Sequence, residues 1–170
     1  MSKVATAPTM KGNPVTLVGN DLQIGDNAPD FSVTANDLSE FKFSSLKGKK
    51  VIISVVPSLD TGICDLQTKR FNQEAGKLGE SVKILTISMD LPFAQKRWCG
   101  ATHSDKVTTL SDHRSASFGE AYGVLIKGLR LLTRSIFIID EKGKIRYKQV
   151  VPEITTEPNY DDALNALKKI

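Results

Sequence analysis

Cysteine is scarce in this sequence: only Cys64 and Cys99 occur among 170 residues. That excludes the disulfide-dense secreted scaffolds and leaves at most one intrachain bond. A chain of this length can bury roughly 70% of its unfolded surface and needs no such staple, so the expectation is a single domain over residues 1–170 in a reducing compartment. Histidine is equally sparse, with only His103 and His113. A four-ligand zinc site would consume both histidines and both cysteines, and the paired spacings of common zinc modules are absent; no metal is expected. Neither a GxGxxG nor a Walker phosphate loop is present, which removes the usual nucleotide cofactors, and no cofactor is expected. No apolar run approaches the ~20 residues that span a bilayer, and Met1 to Pro8 lacks the apolar core of a secretory signal. The expectation is a cytoplasmic protein without a membrane partner. The formal charge of +4 comes from 23 basic and 19 acidic residues, spread without a basic block or interleaved aromatics, so nucleic acid is not an expected partner.

What the sequence does contain is alternation of two periodicities. Pro14 to Gln23 alternates around Gly19-Asn20 and predicts an N-terminal hairpin. Short strands follow at Phe31 to Thr34 and Glu40 to Phe43. Lys50 to Val56 is almost continuously apolar and β-branched, as expected of a central strand covered on both faces. The next stretch, Ile63 to Leu78, predicts a helix with an inward stripe of Ile63, Leu66, Phe71, Ala75 and Leu78. Ser81 to Met89 is a second buried strand. Asp90-Leu91-Pro92 opens a helix that carries Trp98 and Cys99, with Gly100 expected at its end. Val107 to Leu110, a short helix at Ser115 to Tyr122, a hairpin of Ser135 to Ile139 with Lys144 to Val150, and a closing helix at Tyr160 to Lys168 complete the pattern. Strand and helix alternating in this way imply an α/β fold: a mixed sheet with helices on both faces.

Cys64 stands where that pattern concentrates chemistry. The central strand stops at Pro57, and the helix that follows places Cys64 in its first turn if Thr61 is the N-cap. The first N–H groups of a helix have no partner within it, and the peptide dipoles place about half a positive charge there. A thiolate at that point is stabilised, and the Thr61 hydroxyl is expected to accept from the Cys64 N–H. The position also lies beyond the carboxyl end of a central strand, where sites in open α/β sheets gather. From the residues alone, Cys64 is either such a nucleophile or a small buried apolar side chain, and a Cys–His hydrolase would require one of the two histidines beside it. Cys99 is either a core cysteine or the second member of a redox pair. Arg130 and Arg134 could each be an ordinary surface charge, but Arg134 directly precedes a buried strand, which makes its full exposure less obvious.

Pro57, Thr61 and Cys64 carry the spacing Pro-x-x-x-Thr-x-x-Cys, which resembles the active-site signature of the peroxiredoxins. Pro57 to Asp65, with Thr68 and Phe71-Asn72, is similar to the bacterial thiol peroxidase branch, a set of atypical two-cysteine peroxiredoxins. Asp90 to Gln95 with Arg97-Trp98-Cys99-Gly100, and Glu153 to Pro158, extend the likeness over nearly the whole chain. The resemblance implies a thioredoxin-like fold with an added N-terminal hairpin. It also implies peroxide reduction with Cys64 as the peroxidatic cysteine, Cys99 as the resolving cysteine in the same chain, and Thr61, Pro57 and Arg134 around the sulfur. Thioredoxin as reductant, hydroperoxides as substrates and a homodimer are implied likewise. The apolar neighbours Leu59, Ile63 and Leu131 suit an alkyl tail on the peroxide. A redox sensor that reports the same disulfide to a partner protein is the competing reading.

Overall fold

The structure, a computed structural model, describes residues 7–170; the opening stretch 1–6, read above for a secretory leader, lies outside the described residues. Its elements in chain order are β1 (Thr9–Met10), β2 (Asn13–Pro14), β3 (Leu17–Val18), β4 (Ser32–Thr34), β5 (Glu40–Lys42), β6 (Lys50–Val55), α1 (Gly62–Leu78), β7 (Val82–Ser88) and α2 (Pro92–Thr102), then β8 (Thr108–Ser111), α3 (Ser117–Ala121), β9 (Leu125–Ile126), β10 (Ser135–Ile139), β11 (Ile145–Val150) and α4 (Tyr160–Lys168). Seven strands form one mixed sheet in the order β11-β10-β6-β7-β8-β4-β5. β6, β7 and β8 run parallel, while β10 and β4 flank that trio antiparallel.

The near-continuous apolar run of β6 is explained by its place in the middle of this sheet, where both faces are covered. Alternate residues serve two cores. Val51, Ile53 and Val55 join Leu85, Ile87, Phe118, Tyr122 and Phe137 on one face. Ile52 joins Ile84, Ile136, Ile138, Phe71 of α1 and Ala163 and Leu167 of α4 on the other. The first face is rich in aromatics: Phe31, Phe43, Phe118, Tyr122 and Phe137 make stacked and edge-on contacts with centroids 4.6–6.5 Å apart. Two consecutive right-handed crossovers, β6-α1-β7 and β7-α2-β8, bring α1 and α2 to the same face. Sheet order thus makes the two cysteine-bearing helices neighbours.

Three local expectations are corrected. The hairpin predicted around Gly19-Asn20 lies earlier: Thr9 pairs with Pro14 and Met10 with Asn13 across Lys11-Gly12, both at positive φ (51° and 81°), as a two-residue hairpin turn requires. Leu17–Val18 pairs instead with Leu125–Ile126, more than a hundred residues away. Gly19 and Gly123 permit this: a Cβ at Gly19 would sit 2.2 Å from the Glu120 carbonyl oxygen, and one at Gly123 2.1 Å from that of Asn20. The second correction is to α2, which continues past Gly100 to Thr102 and ends on His103 in the left-handed region (φ 52°). The Thr102 hydroxyl donates to the Trp98 carbonyl at 2.8 Å and so sustains that last turn. The third is to α1, whose buried residues are Cys64, Gln67, Thr68 and Phe71, whereas Leu66 is 49% exposed. The inward stripe begins at the cysteine and is polar for its first turn and a half.

Candidate active site

The loop between β6 and α1 is fixed from below. Pro57 is buried and supplies no N–H, so the ladder with neighbouring strands stops there. Asp90, just beyond the end of β7, then holds the loop with its carboxylate: it accepts from the Ser58 hydroxyl at 2.7 Å, the Leu59 N–H at 2.8 Å and the Ser88 hydroxyl at 2.7 Å. Thr61 occupies the N-cap position with extended backbone (φ −119°, ψ 149°), but its side chain does not cap the helix. It is exposed and donates to the Ser58 carbonyl at 3.0 Å, three residues back. The expected bond from the Cys64 N–H to the Thr61 hydroxyl is therefore not made. Closing the preceding turn takes the hydroxyl away from the cysteine, and the first N–H groups of α1 are left without that side-chain acceptor.

Cys64 lies in this first turn, 1% exposed, packed with Val56 and Leu59 and covered by Trp98. Its sulfur meets Arg134, the residue directly before β10. The guanidinium is 2% exposed, and a cation so buried is tolerated only when its donors are paired. Nε donates to the Ile154 carbonyl at 2.8 Å, Nη1 to Gln67 Oε1 at 3.0 Å and Nη2 to Cys64 Sγ at 3.2 Å. Gln67 is in turn fixed by Nε2 donating to the Ser54 hydroxyl at 2.8 Å. Among the described residues no carboxylate forms an ion pair with Arg134. Negative charge on the Cys64 sulfur would supply the missing counterion, and the planar fork is pointed at it.

Cys99 is on α2, half-buried, and both cysteines are free. Its sulfur lies 3.4 Å from the Thr109 hydroxyl, which donates to Asn36 Oδ1 at 3.1 Å. The structure thus brings Cys64 and Arg134 into contact, sets Pro57 at the base of the same loop, and leaves Thr61 and Cys99 turned to other partners.

Three residues of this arrangement escaped the sequence reading. Gln67 sits on the inward stripe where an apolar residue is the norm, and that polar break in the pattern was its signal. Asp90 was read as part of a helix start, although an acid at the carboxyl end of a central strand is well placed to hold a site loop. Asp65 stands in the stretch that carries the family likeness, but nothing in the sequence indicates its partner; its carboxylate accepts from the Trp98 indole at 2.8 Å and pairs with Lys69 at 2.7 Å. Among the described residues no group of three or more His, Cys, Asp or Glu side chains could hold a metal ion, and no helix there is long and apolar enough to cross a membrane.

The chain is similar to known proteins along nearly its whole length. The family model described as Redoxin matches residues 23–164. The thiol peroxidase of Bacillus subtilis (strain 168) is 59% identical over 162 residues, covering 95% of this chain and 96% of that protein; the thiol peroxidase of Listeria innocua is 54% identical over 164 residues, covering 96% and 99%. Among solved structures, a peroxiredoxin-like protein from Aquifex aeolicus superposes with a TM-score of 0.91 at 47% identity, covering 97% of each chain. A thiol peroxidase from Chromobacterium violaceum, at 18% identity, shares the fold with a TM-score of 0.85. The mixed sheet with its flanking helices is accordingly the thioredoxin-like fold of these proteins. By sequence match along nearly its whole length and by fold, the chain belongs to the Redoxin family and stands among its bacterial thiol peroxidases, enzymes of the peroxiredoxin type.

Proposed function

We propose that this chain reduces hydrogen peroxide and alkyl hydroperoxides through Cys64, forms a disulfide with Cys99, and is returned to the dithiol by thioredoxin, as part of antioxidant defence. The observation that carries this reading is the 3.2 Å contact between Arg134 Nη2 and Cys64 Sγ inside a buried fork. Thiolate sulfur attacks one peroxide oxygen in line with the O–O bond; that bond breaks, and the departing oxygen leaves with the electron pair and takes a proton. Cys64 becomes a sulfenic acid. Negative charge moves from sulfur to oxygen during the step, so a preorganised guanidinium serves both ends of the reaction, and such a donor is typically worth ~3 kcal/mol. Thr61, one residue before α1, can swing its hydroxyl from the Ser58 carbonyl towards the peroxide. Pro57 shields the sulfur from below. The Cys99 thiolate then displaces hydroxide from the sulfenic acid, which leaves as water once protonated, and the disulfide is reopened by an external dithiol. A homodimer in the cytoplasm is the setting in which we place this cycle.

The test is a coupled assay with thioredoxin, thioredoxin reductase and NADPH, run with hydrogen peroxide and with a bulky alkyl hydroperoxide. The wild type is expected to turn over repeatedly, Cys64→Ser not at all, and Cys99→Ser to consume one equivalent of peroxide and stop with a trappable sulfenic acid. Full steady-state turnover by Cys64→Ser overturns the assignment, and a wild type that reacts only once is a sensor rather than a peroxidase.

A further inference from the structure

α1 is held along its length by separate devices. Its far part is anchored by Phe71, fully buried and edge-on to Tyr160 of α4 at 5.7 Å, and by Arg70 stacked over the same Tyr160 ring at 4.9 Å. Its middle is pinned by the Gln67 bond to Ser54. The first turn has a different restraint, which comes from α2: the Trp98 indole N–H donates to Asp65 Oδ1 at 2.8 Å, and the ring packs on Val56, Leu59 and Cys64. Asp65 belongs to the first turn of α1, where the helix dipole favours a carboxylate, and Lys69 holds its other oxygen. The bond is therefore charge-assisted and half-buried.

Trp98 and Cys99 are successive residues on α2, so their side chains diverge by about a hundred degrees. While the indole lies against the Cys64 turn, the Cys99 sulfur faces Thr109. A disulfide requires Cα atoms within about 7 Å and converging Cβ vectors, which this arrangement of Trp98 opposes. Resting on the peroxidase reading above, we propose that the bond between Trp98 and Asp65 is a latch: it keeps the first turn of α1 wound while Cys64 reacts with peroxide, and its release sets the rate at which the Cys64 sulfenic acid meets Cys99. The step it gates is Cys64-SOH plus Cys99-SH giving the disulfide and one water. The competing step is Cys64-SOH plus a second hydroperoxide giving the sulfinic acid and one alcohol or water. The latch divides the sulfenic acid between these two fates, and Trp98 is a positioning residue.

The experiment mixes reduced protein with rising hydrogen peroxide, quenches with acid at intervals, and counts sulfenic, disulfide and sulfinic forms by mass. Trp98→Phe keeps a ring on the Cys64 cluster but removes the donor; Asp65→Ala removes the acceptor. Each single variant is expected to form the disulfide about tenfold faster than wild type, the scale set by loss of one charge-assisted hydrogen bond. The peroxide concentration that leaves half the protein as sulfinic acid is expected to rise in parallel. The double variant is expected to be no faster than the quicker single, because both remove the same bond. Unchanged or slower resolution in both single variants, or effects that multiply in the double, overturns the latch. A wild type that forms the sulfenic acid but never the disulfide overturns the latch together with the resolving role of Cys99, whereas a wild type that resolves normally beside unaltered variants overturns the latch alone.

Discussion

Arg134 has three acceptors in three directions: a backbone carbonyl from the segment before α4, a glutamine on α1 and the sulfur of Cys64. A lysine carries a compact charge on a flexible stem and cannot reach all three. Arg134→Lys is expected to slow the reaction of reduced protein with hydrogen peroxide about a hundredfold, in line with loss of an oriented transition-state donor, as measured by stopped-flow under single-turnover conditions. A loss below about threefold would mean that charge alone suffices and the fork geometry is incidental. At this scale Cys64 and Arg134 could be singled out in the chain, each next to an abrupt change of pattern, and the structure brings these two into contact. Gln67 and Asp90 could not be read in the same way. Each acts by holding something else, Arg134 in one case and the site loop in the other, and only the fold reveals the partner. Thr61 was legible as a cap by type and position, but a hydroxyl has two nearby carbonyl and amide choices, and the Ser58 carbonyl took it.

The first turn of α1 carries Cys64, a polar inward stripe and a restraint from α2, while the helix from Phe71 onward packs against the sheet and α4. Formation of the proposed disulfide is expected to unwind residues 61–70, releasing the Gln67 and Arg70 contacts, and to stop near Phe71, whose ring is buried in the core. Amide hydrogen exchange on reduced and oxidised protein checks this: faster exchange confined to 61–70 is the expected result, and equal protection in both states contradicts it. The elements themselves were largely visible in the sequence. Periodicity of two or 3.6 with a buried face survives any tertiary arrangement, which is why β6, α1, β7, β10, β11 and α4 fall where the pattern placed them. Leu17–Val18 shows the limit. Its partner is Leu125–Ile126, and a pairing over that separation leaves no local trace beyond the glycines at Gly19 and Gly123 that let the two segments approach.

Across the whole molecule, the sheet separates two cores of different character, and a buried acid sits on the aromatic side. Asp112 is 2% exposed and accepts from the N–H groups of Phe118 and Gly119 at 3.0 and 2.8 Å. Burial pushes its carboxyl up from 3.8 to about 6, although those N–H bonds and Arg130 pull it down. Between these two values the folded protein holds a proton that the unfolded chain has released, so the contribution of Asp112 is most favourable below about pH 4 and declines as pH rises to about 6. The full span is on the order of 3 kcal/mol. Glu153 has the opposite sign: hydrogen bonds from Thr155, Gly12 and Thr9 hold its carboxylate down at about 2, so its contribution is present above about pH 4.5 and fades below. Urea unfolding of wild type and Asp112→Asn from pH 4 to 7 isolates the contribution of Asp112. The wild type is expected to lose stability relative to the variant across that window, and parallel curves would contradict the assignment.

The division into two cores has a further consequence. Both cysteines and the lone tryptophan lie on the α1, α2 and α4 side, while the five clustered aromatic rings lie on the other. A disulfide between Cys64 and Cys99, as proposed above, would redraw one hemisphere and leave its counterpart as a fixed base, so a protein that tells the spent form from the ready one would have that single flank to read.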